Sequence, residues 1–159
     1  MVEDYTIKFK NTAKDICAFA SLASAMHYQA QKLKVTNLKS ALCNNANTLF
    51  QMTKNYAPWV QNPFTIISKC LHRSRSLLVE RHSIHNFHPS NVQTAQPHVY
   101  YLAVLKSPSG YSGHCVVFHN GLVFDSNFDH PFPISKTTYP FLFLLAKLNL
   151  FLLILFQKI

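Results

Sequence analysis

Acidic residues are scarce in this chain. Six Asp and Glu stand against fifteen Lys and Arg, giving a formal net charge of +9, and between Cys17 and Phe124 the sole acid is Glu80. A middle so poor in negative charge presents positive potential toward acidic protein surfaces or anionic lipid, which bears on encounter rather than on fold. Glycine is nearly absent too, at three residues. That leaves little room for a Gly-rich phosphate cradle, and with no RNA- or DNA-binding motif in view a nucleic-acid partner is not expected. The four cysteines, Cys17, Cys43, Cys70 and Cys115, form neither a CxxC pair nor a regular framework. Free thiols in a cytoplasmic or otherwise reducing compartment, with no signal peptide, are the expectation. Charged residues make up only 13% of the chain and apolar ones 48%, so its 159 residues have the material for one domain with a substantial core.

What is present begins with an Asn120-Gly121 pair set between apolar runs. This pattern predicts a two-residue type I′ hairpin, because both turn residues must take positive φ. The turn fixes the register: His119 opposite Leu122, Val117 opposite Phe124, Val116 opposite Asp125 and His114 opposite Asn127. Alternation then gives His114, Val116, Phe118, Val123, Asp125 and Asn127 one face. Asp125 lies diagonal to His114 and Asn127 opposite it, both near enough to accept a hydrogen bond from the imidazole. A base and its orienter are the chemical reading; a half-buried hairpin with solvated polar residues is the plain one.

Residues 1–14 are polar, mixed in charge and expected to be extended. From Ile16 the pattern turns helical, with Ile16, Phe19, Ala20, Ala23, Met26, Ala30 and Leu33 on one stripe and Asp15 as N-cap. Small residues, Ala18, Ala20, Ser21, Ala23, Ser24 and Ala25, crowd its first turns, so it reads as a central helix able to pack closely. Cys17 falls in the first turn, where unpaired N–H groups and the helix dipole favour a thiolate. A second helix is predicted from Leu38 to Tyr56, with Thr36 as cap and Leu38, Ala41, Leu42, Leu49 and Met52 inward. A third begins at Asn62-Pro63. Residues 77–79 fit either strand or helix, 82–97 a loop, 98–106 a buried strand and 107–113 a turn into the hairpin. The repeat His82-x-x-His85-x-x-His88, with Cys70 or His72 nearby, has the makings of a zinc site. Pro89, Ser90, Asn91 and Pro97 favour an irregular basic loop there instead, and no metal or cofactor is assigned.

A cysteine heading a buried helix, followed by a strand histidine and then an acid on the next strand, resembles the order of papain-like cysteine peptidases. The string Cys17-Ala-Phe-Ala-Ser-Leu-Ala-Ser-Ala-Met26 is similar to the nucleophile helix of small members such as the peptidase domains of bacteriocin exporters. Gly113-His-Cys-Val-Val-Phe-His-Asn-Gly-Leu-Val-Phe-Asp-Ser-Asn-Phe128 is similar to their histidine and acid strands. Residues 123–132 also resemble the acid-strand segment of type III effector cysteine proteases of the Yersinia and Pseudomonas kind. The resemblance implies an α+β, papain-like fold, a helical N-terminal half packed on a C-terminal antiparallel sheet. It further implies Cys17 as nucleophile, His114 as general base and acid, and Asp125 as orienter, with Asn127 the alternative orienter. Asn11 stands where the family often has an oxyanion-binding Gln, and no Gly or Trp flanks Cys17.

The implied activity is hydrolysis of peptide or isopeptide bonds in a protein or peptide substrate. The same residues also serve acyl transfer of the transglutaminase type. A deubiquitinase of the ovarian-tumour type shares an Asp beside the cysteine, but its acid follows the His more closely. From another class comes a non-enzymatic basic protein held at an anionic membrane surface. Its anchor would be the apolar run Tyr139 to Phe156, so the chain divides into a peptidase domain, 1–137, and an apolar terminal helix, 138–159. About 18 residues is near the lower limit for a spanning helix, and Lys147 and Asn149 lie mid-run. The competing expectation packs this segment on the domain, where it contributes to the core that a papain-like sheet needs after Asp125.

Overall fold

The computed structural model describes residues 4–10, 16–56, 78–82, 99–106, 112–134 and 142–149. Asn11, Asp15, the helix expected from Asn62-Pro63, the loop after His82 with His85 and His88, Cys70, His72 and the last ten residues lie outside them. The chain is an α+β protein which, among the described residues, has two helices, α1 (Cys17–Lys32) and α2 (Thr36–Tyr56), and an antiparallel sheet. The strands are β1 (Leu78–His82), β2 (Val99–Lys106), β3 (Ser112–His119), β4 (Leu122–Phe124), β5 (Phe132–Pro133) and β6 (Leu142–Asn149), in the order β1-β6-β2-β3-β4-β5.

The β3–β4 hairpin forms in the register that its turn dictates. Val117 pairs with Phe124, Phe118 with Val123 and His119 with Leu122. Asn120 has φ 52° and Gly121 φ 77°, the positive values that a type I′ turn requires. Period-two alternation then sorts the sheet into two apolar faces. Tyr100, Leu102, Cys115, Val117 and Phe124 join the core around α1. Val99, Tyr101, Ala103, Val116, Phe118 and Val123 cluster on the other face with Ile134.

Helix α1 is buried on nearly every side, from Ala18 to Met26 without interruption. Its small side chains let other segments approach its backbone closely. The N-terminal segment uses this: it runs extended, with Tyr5, Ile7 and Phe9 turned inward between exposed Asp4, Thr6 and Lys8. Phe9 N–H donates to Ser24 Oγ at 3.1 Å, and the Ser24 hydroxyl faces Phe9 C=O at 3.2 Å. Leu38, Leu42, Ala46 and Leu49 form the buried stripe of α2, at helical spacing.

One expectation is corrected here. Residues 142–149, placed by the sequence in a terminal helix or membrane anchor distinct from the 1–137 domain, form strand β6 inside the sheet. β6 pairs with β1 on one side, Ala146 opposite Arg81, and with β2 on the other, Ala146 opposite Leu102. A mostly apolar eight-residue segment flanked by two strands suits an interior strand, whose backbone groups are hydrogen-bonded on both edges. Spanning a bilayer as a helix takes about 20 residues, and these eight are committed elsewhere. No helix among the described residues is long and apolar enough to cross a membrane. The register sets Lys147 at the position facing Glu80, the lone acid of the chain's basic middle.

Candidate active site

The site forms where the first turn of α1 meets the open end of the β3–β4 hairpin. In an antiparallel ladder the hydrogen-bonded rungs alternate, so a type I′ hairpin that bonds His119 to Leu122 bonds Val117 to Phe124 next. The following rung would join Cys115 to Ser126. β4 ends at Phe124, so that rung is replaced by contacts with α1. Cys115 N–H donates to Cys17 Sγ at 3.3 Å, and Ser21 Oγ, one helical turn beyond Cys17, lies 3.4 Å from Cys115 C=O. The early end of β4 thus docks the head of α1 against the His114–Cys115 peptide.

The same ending frees Asp125 from the ladder. His114 Nε2–H donates to Asp125 Oδ1 at 2.6 Å. The imidazole also interacts with the Cys17 side chain, each favouring the charged form of the other. Cys17, His114 and Asp125, expected from the sequence to act together, are therefore brought to one place, Asp125 hydrogen-bonded to His114 and Cys17 acting on the same imidazole. Alternation had placed His114 on the sheet face turned away from α1; it meets Cys17 because both sit at the rim, where the hairpin has opened. Burial is graded along the relay. The Asp125 side chain is 3% exposed and that of His114 24%, so the acid is shielded while the imidazole edge and the half-buried Cys17 are accessible from solvent.

Asp125 is held by its own loop. Asn127 N–H donates to Asp125 Oδ1 at 3.0 Å and Phe128 N–H to Asp125 C=O at 3.0 Å, an Asx-type turn. It is thus Asp125 that the structure places on the imidazole, while Asn127, the alternative orienter, supports the acid through its backbone. The N-terminal segment straps this loop down. Ile7 N–H donates to Asp129 C=O at 2.8 Å, His130 Nδ1–H to Tyr5 C=O at 2.9 Å, and Lys10 Nζ to Phe128 C=O at 2.8 Å while pairing with the Asp129 carboxylate.

The electrostatics follow from these contacts. The Cys115 thiol donates to Cys17 sulfur, and this bond leads the causes that bring the Cys17 thiol down to about 5. Burial opposes the shift, while the His114 hydrogen bond, the Cys115 N–H and the imidazolium charge add to it. Burial likewise works against charge on His114, but the hydrogen bonds and negative charges of Asp125 and Cys17 outweigh it and raise the imidazole to about 9. Between those values the pair is thiolate and imidazolium. Cys115 moves the other way: its bond to Cys17 and its burial push its thiol well above the ordinary range. Replacing Asp125 by Asn removes the main source of the upward shift. In Asp125→Asn the His114 titration followed by NMR is expected to fall well below about 9, with alkylation of Cys17 at about pH 6 slowed about twofold by the first unit its pKa rises from about 5 and approaching tenfold for each unit above pH 6. An unchanged midpoint would mean that the carboxylate does not hold the imidazolium.

Other candidates sit elsewhere. His119 is fully buried, stacked on Tyr100 with ring centroids 4.2 Å apart, and donates Nδ1–H to Val99 C=O at 2.9 Å. It is a core histidine. His82 ends β1, apart from any group of potential metal ligands among the described residues. Cys43 lies on α2 against the core. Cys17, Cys43 and Cys115 are free thiols. The sequence reading gave Cys115 and Ser21 no role in the site. Both were within reach of the pattern, Cys115 as the helix-facing neighbour of His114 and Ser21 one turn along from Cys17. No family profile, curated protein or solved structure matches this chain.

Proposed function

We propose that this chain is a papain-like cysteine peptidase that cleaves peptide or isopeptide bonds with Cys17, His114 and Asp125. The observation that carries the reading is a buried carboxylate 2.6 Å from a partly exposed imidazole, which in turn acts electrostatically on a half-buried sulfur at a helix start. Each member has the protonation state that acyl chemistry requires: a thiolate nucleophile, an imidazolium able to give up a proton, and a carboxylate that keeps the ring oriented. The order of parts supports the finer fold reading. A cysteine-bearing helix comes first, and the histidine and acid follow on adjoining segments of an antiparallel sheet.

In the proposed cycle Cys17 thiolate attacks the carbonyl carbon, forming the S–C bond as the carbonyl pair moves to oxygen. Backbone N–H groups at the start of α1 face the developing oxyanion; Ile16, the N-cap, has no polar side chain to occupy them. Asn11 is the residue proposed to add a carboxamide donor. His114 passes its proton to the departing amine, the C–N bond breaks, and a thioester remains. Water, deprotonated by His114, then attacks the thioester and releases the acid and the thiolate. A protein or peptide is the proposed substrate, and the basic middle of the chain favours an acidic one.

The test is incubation with a library of peptides bearing a fluorogenic C-terminal amide, followed by acid quench and mass spectrometry of the Cys17 peptide. The expected result is amide release with a thioester on Cys17, both lost in Cys17→Ala. Release that persists in Cys17→Ala would refute the assignment. Transfer to an added amine in place of water would redirect it to acyl transfer.

A further inference from the structure

The thiol of Cys115 has no part in that cycle, yet it is the group most directly bonded to the nucleophile. Its backbone N–H lies 3.3 Å from Cys17 Sγ, only three covalent bonds separate that nitrogen from the Cys115 sulfur, and the two thiols act on each other's protonation. Ser21 holds the other end of the residue by its carbonyl. Two sulfurs set around one backbone N–H need only approach to the disulfide length of about 2.05 Å. We propose that Cys17 and Cys115 form a reversible oxidation site, with Cys115 the resolving thiol for a peroxide-oxidised Cys17. The proposal rests on the reading of Cys17 as a reactive thiolate.

The chemistry balances with a hydroperoxide as oxidant and an external dithiol as reductant. Cys17 thiolate attacks the distal peroxide oxygen; the S–O bond forms, the O–O bond breaks, and sulfur loses two electrons to the departing hydroxide or alkoxide. Cys115 sulfur then attacks Cys17 sulfur, the S–S bond forms and the S–O bond breaks. The hydroxide leaves as water with the proton from Cys115, which His114 is placed to relay. A dithiol reverses the state by successive exchange and is itself oxidised to its disulfide.

The order of events is built into the pair. In the reduced protein the negative sulfur of Cys17 accepts the Cys115 proton and, together with burial, keeps that thiol protonated and inert. Oxidation of Cys17 to the neutral sulfenic acid removes the charge and the acceptor together. Cys115 is thereby released to ionise only when there is something to resolve. The disulfide would protect Cys17 from irreversible oxidation and switch off its nucleophilicity for as long as the bond lasts.

The test begins with reduced full-length protein, labelled by iodoacetamide at about pH 6 to report the thiolate. A second portion is exposed to hydrogen peroxide, blocked with N-ethylmaleimide in denaturant, digested with trypsin and analysed by mass spectrometry. The expected product joins the peptide 15–32 to the peptide 107–136 through Cys17 and Cys115. Dithiothreitol should dissolve it and restore labelling of Cys17. In Cys115→Ala, and in Cys115→Ser, peroxide should instead carry Cys17 to sulfinic acid that dithiothreitol does not reverse. Fast labelling of the reduced protein with no bridged peptide, or a bridge from Cys17 to Cys43 or Cys70, would overturn the resolving role and leave the thiolate reading standing. Slow labelling at the outset would overturn both.

Discussion

A His114→Ala variant is expected to alkylate with iodoacetamide at Cys17 roughly a hundredfold more slowly than the unaltered protein at about pH 6. The imidazolium supplies both a hydrogen bond and a positive charge to the Cys17 sulfur, and Ala removes the two together. Each unit of upward shift in the thiol costs a factor of about ten in thiolate at a pH below its midpoint. The loss should stop short of an ordinary cysteine, because the Cys115 thiol and N–H still donate to the same sulfur. Combining His114→Ala with Cys115→Ala, which removes the side-chain donor, should therefore raise the midpoint further. Unchanged labelling in His114→Ala would mean that the imidazole does not act on Cys17, and the proposed cycle would lose its base. Because His114 is partly exposed near the start of β3, its removal leaves the core packing of β3 intact, and thermal unfolding should change little.

The second large effect lies at the far side of the sheet. Ala146→Pro is expected to abolish cooperative unfolding, followed by circular dichroism, because position 146 stands between Arg81 of β1 and Leu102 of β2 in the ladder. Proline removes a ladder N–H, and a fixed φ near −65° does not suit a strand paired on both edges. Small domains have a margin of only about 5–15 kcal/mol, so losing an interior strand is enough to unfold one. Deletion of 142–159 should give the same result, an insoluble or unfolded chain. A membrane tail would behave otherwise. If deletion left a soluble protein with a sharp melting transition and reactive Cys17, residues 142–149 would not be structural and the anchor reading would return.

Particular residues explain why some of this was legible in the chain and some was not. Asn120-Gly121 determined a register because only a turn with two positive φ angles joins such strands tightly, and that register brought Asp125 within reach of His114. Helix α1 was legible from its apolar spacing and small residues, which a close-packed central helix needs. The terminal run was not. When every residue from Leu142 to Leu145 is apolar, neither the helical nor the strand period is expressed, and the choice passes to the partners, here β1 and β2, which lie far off in sequence. Cys115 was hidden for a different reason. Its role depends on where β4 stops and on how α1 docks, and neither is encoded at Cys115 itself. Asp125 and Asn127 were separated only by the loop: an Asx turn commits the backbone of Asn127 to the carboxylate two residues before it.

The central claim is that Cys17 is a thiolate held by His114 and Cys115 in the folded protein. The most direct measurement is the rate of iodoacetamide labelling of Cys17 across pH, resolved from Cys43, Cys70 and Cys115 by mass spectrometry. The expected profile rises with a midpoint near about 5 and changes a second time near about 9, where His114 loses its proton. Labelling that climbs only near pH 8.5, where free thiols of about that pKa ionise, would contradict the claim and make Cys17 a core cysteine like any other.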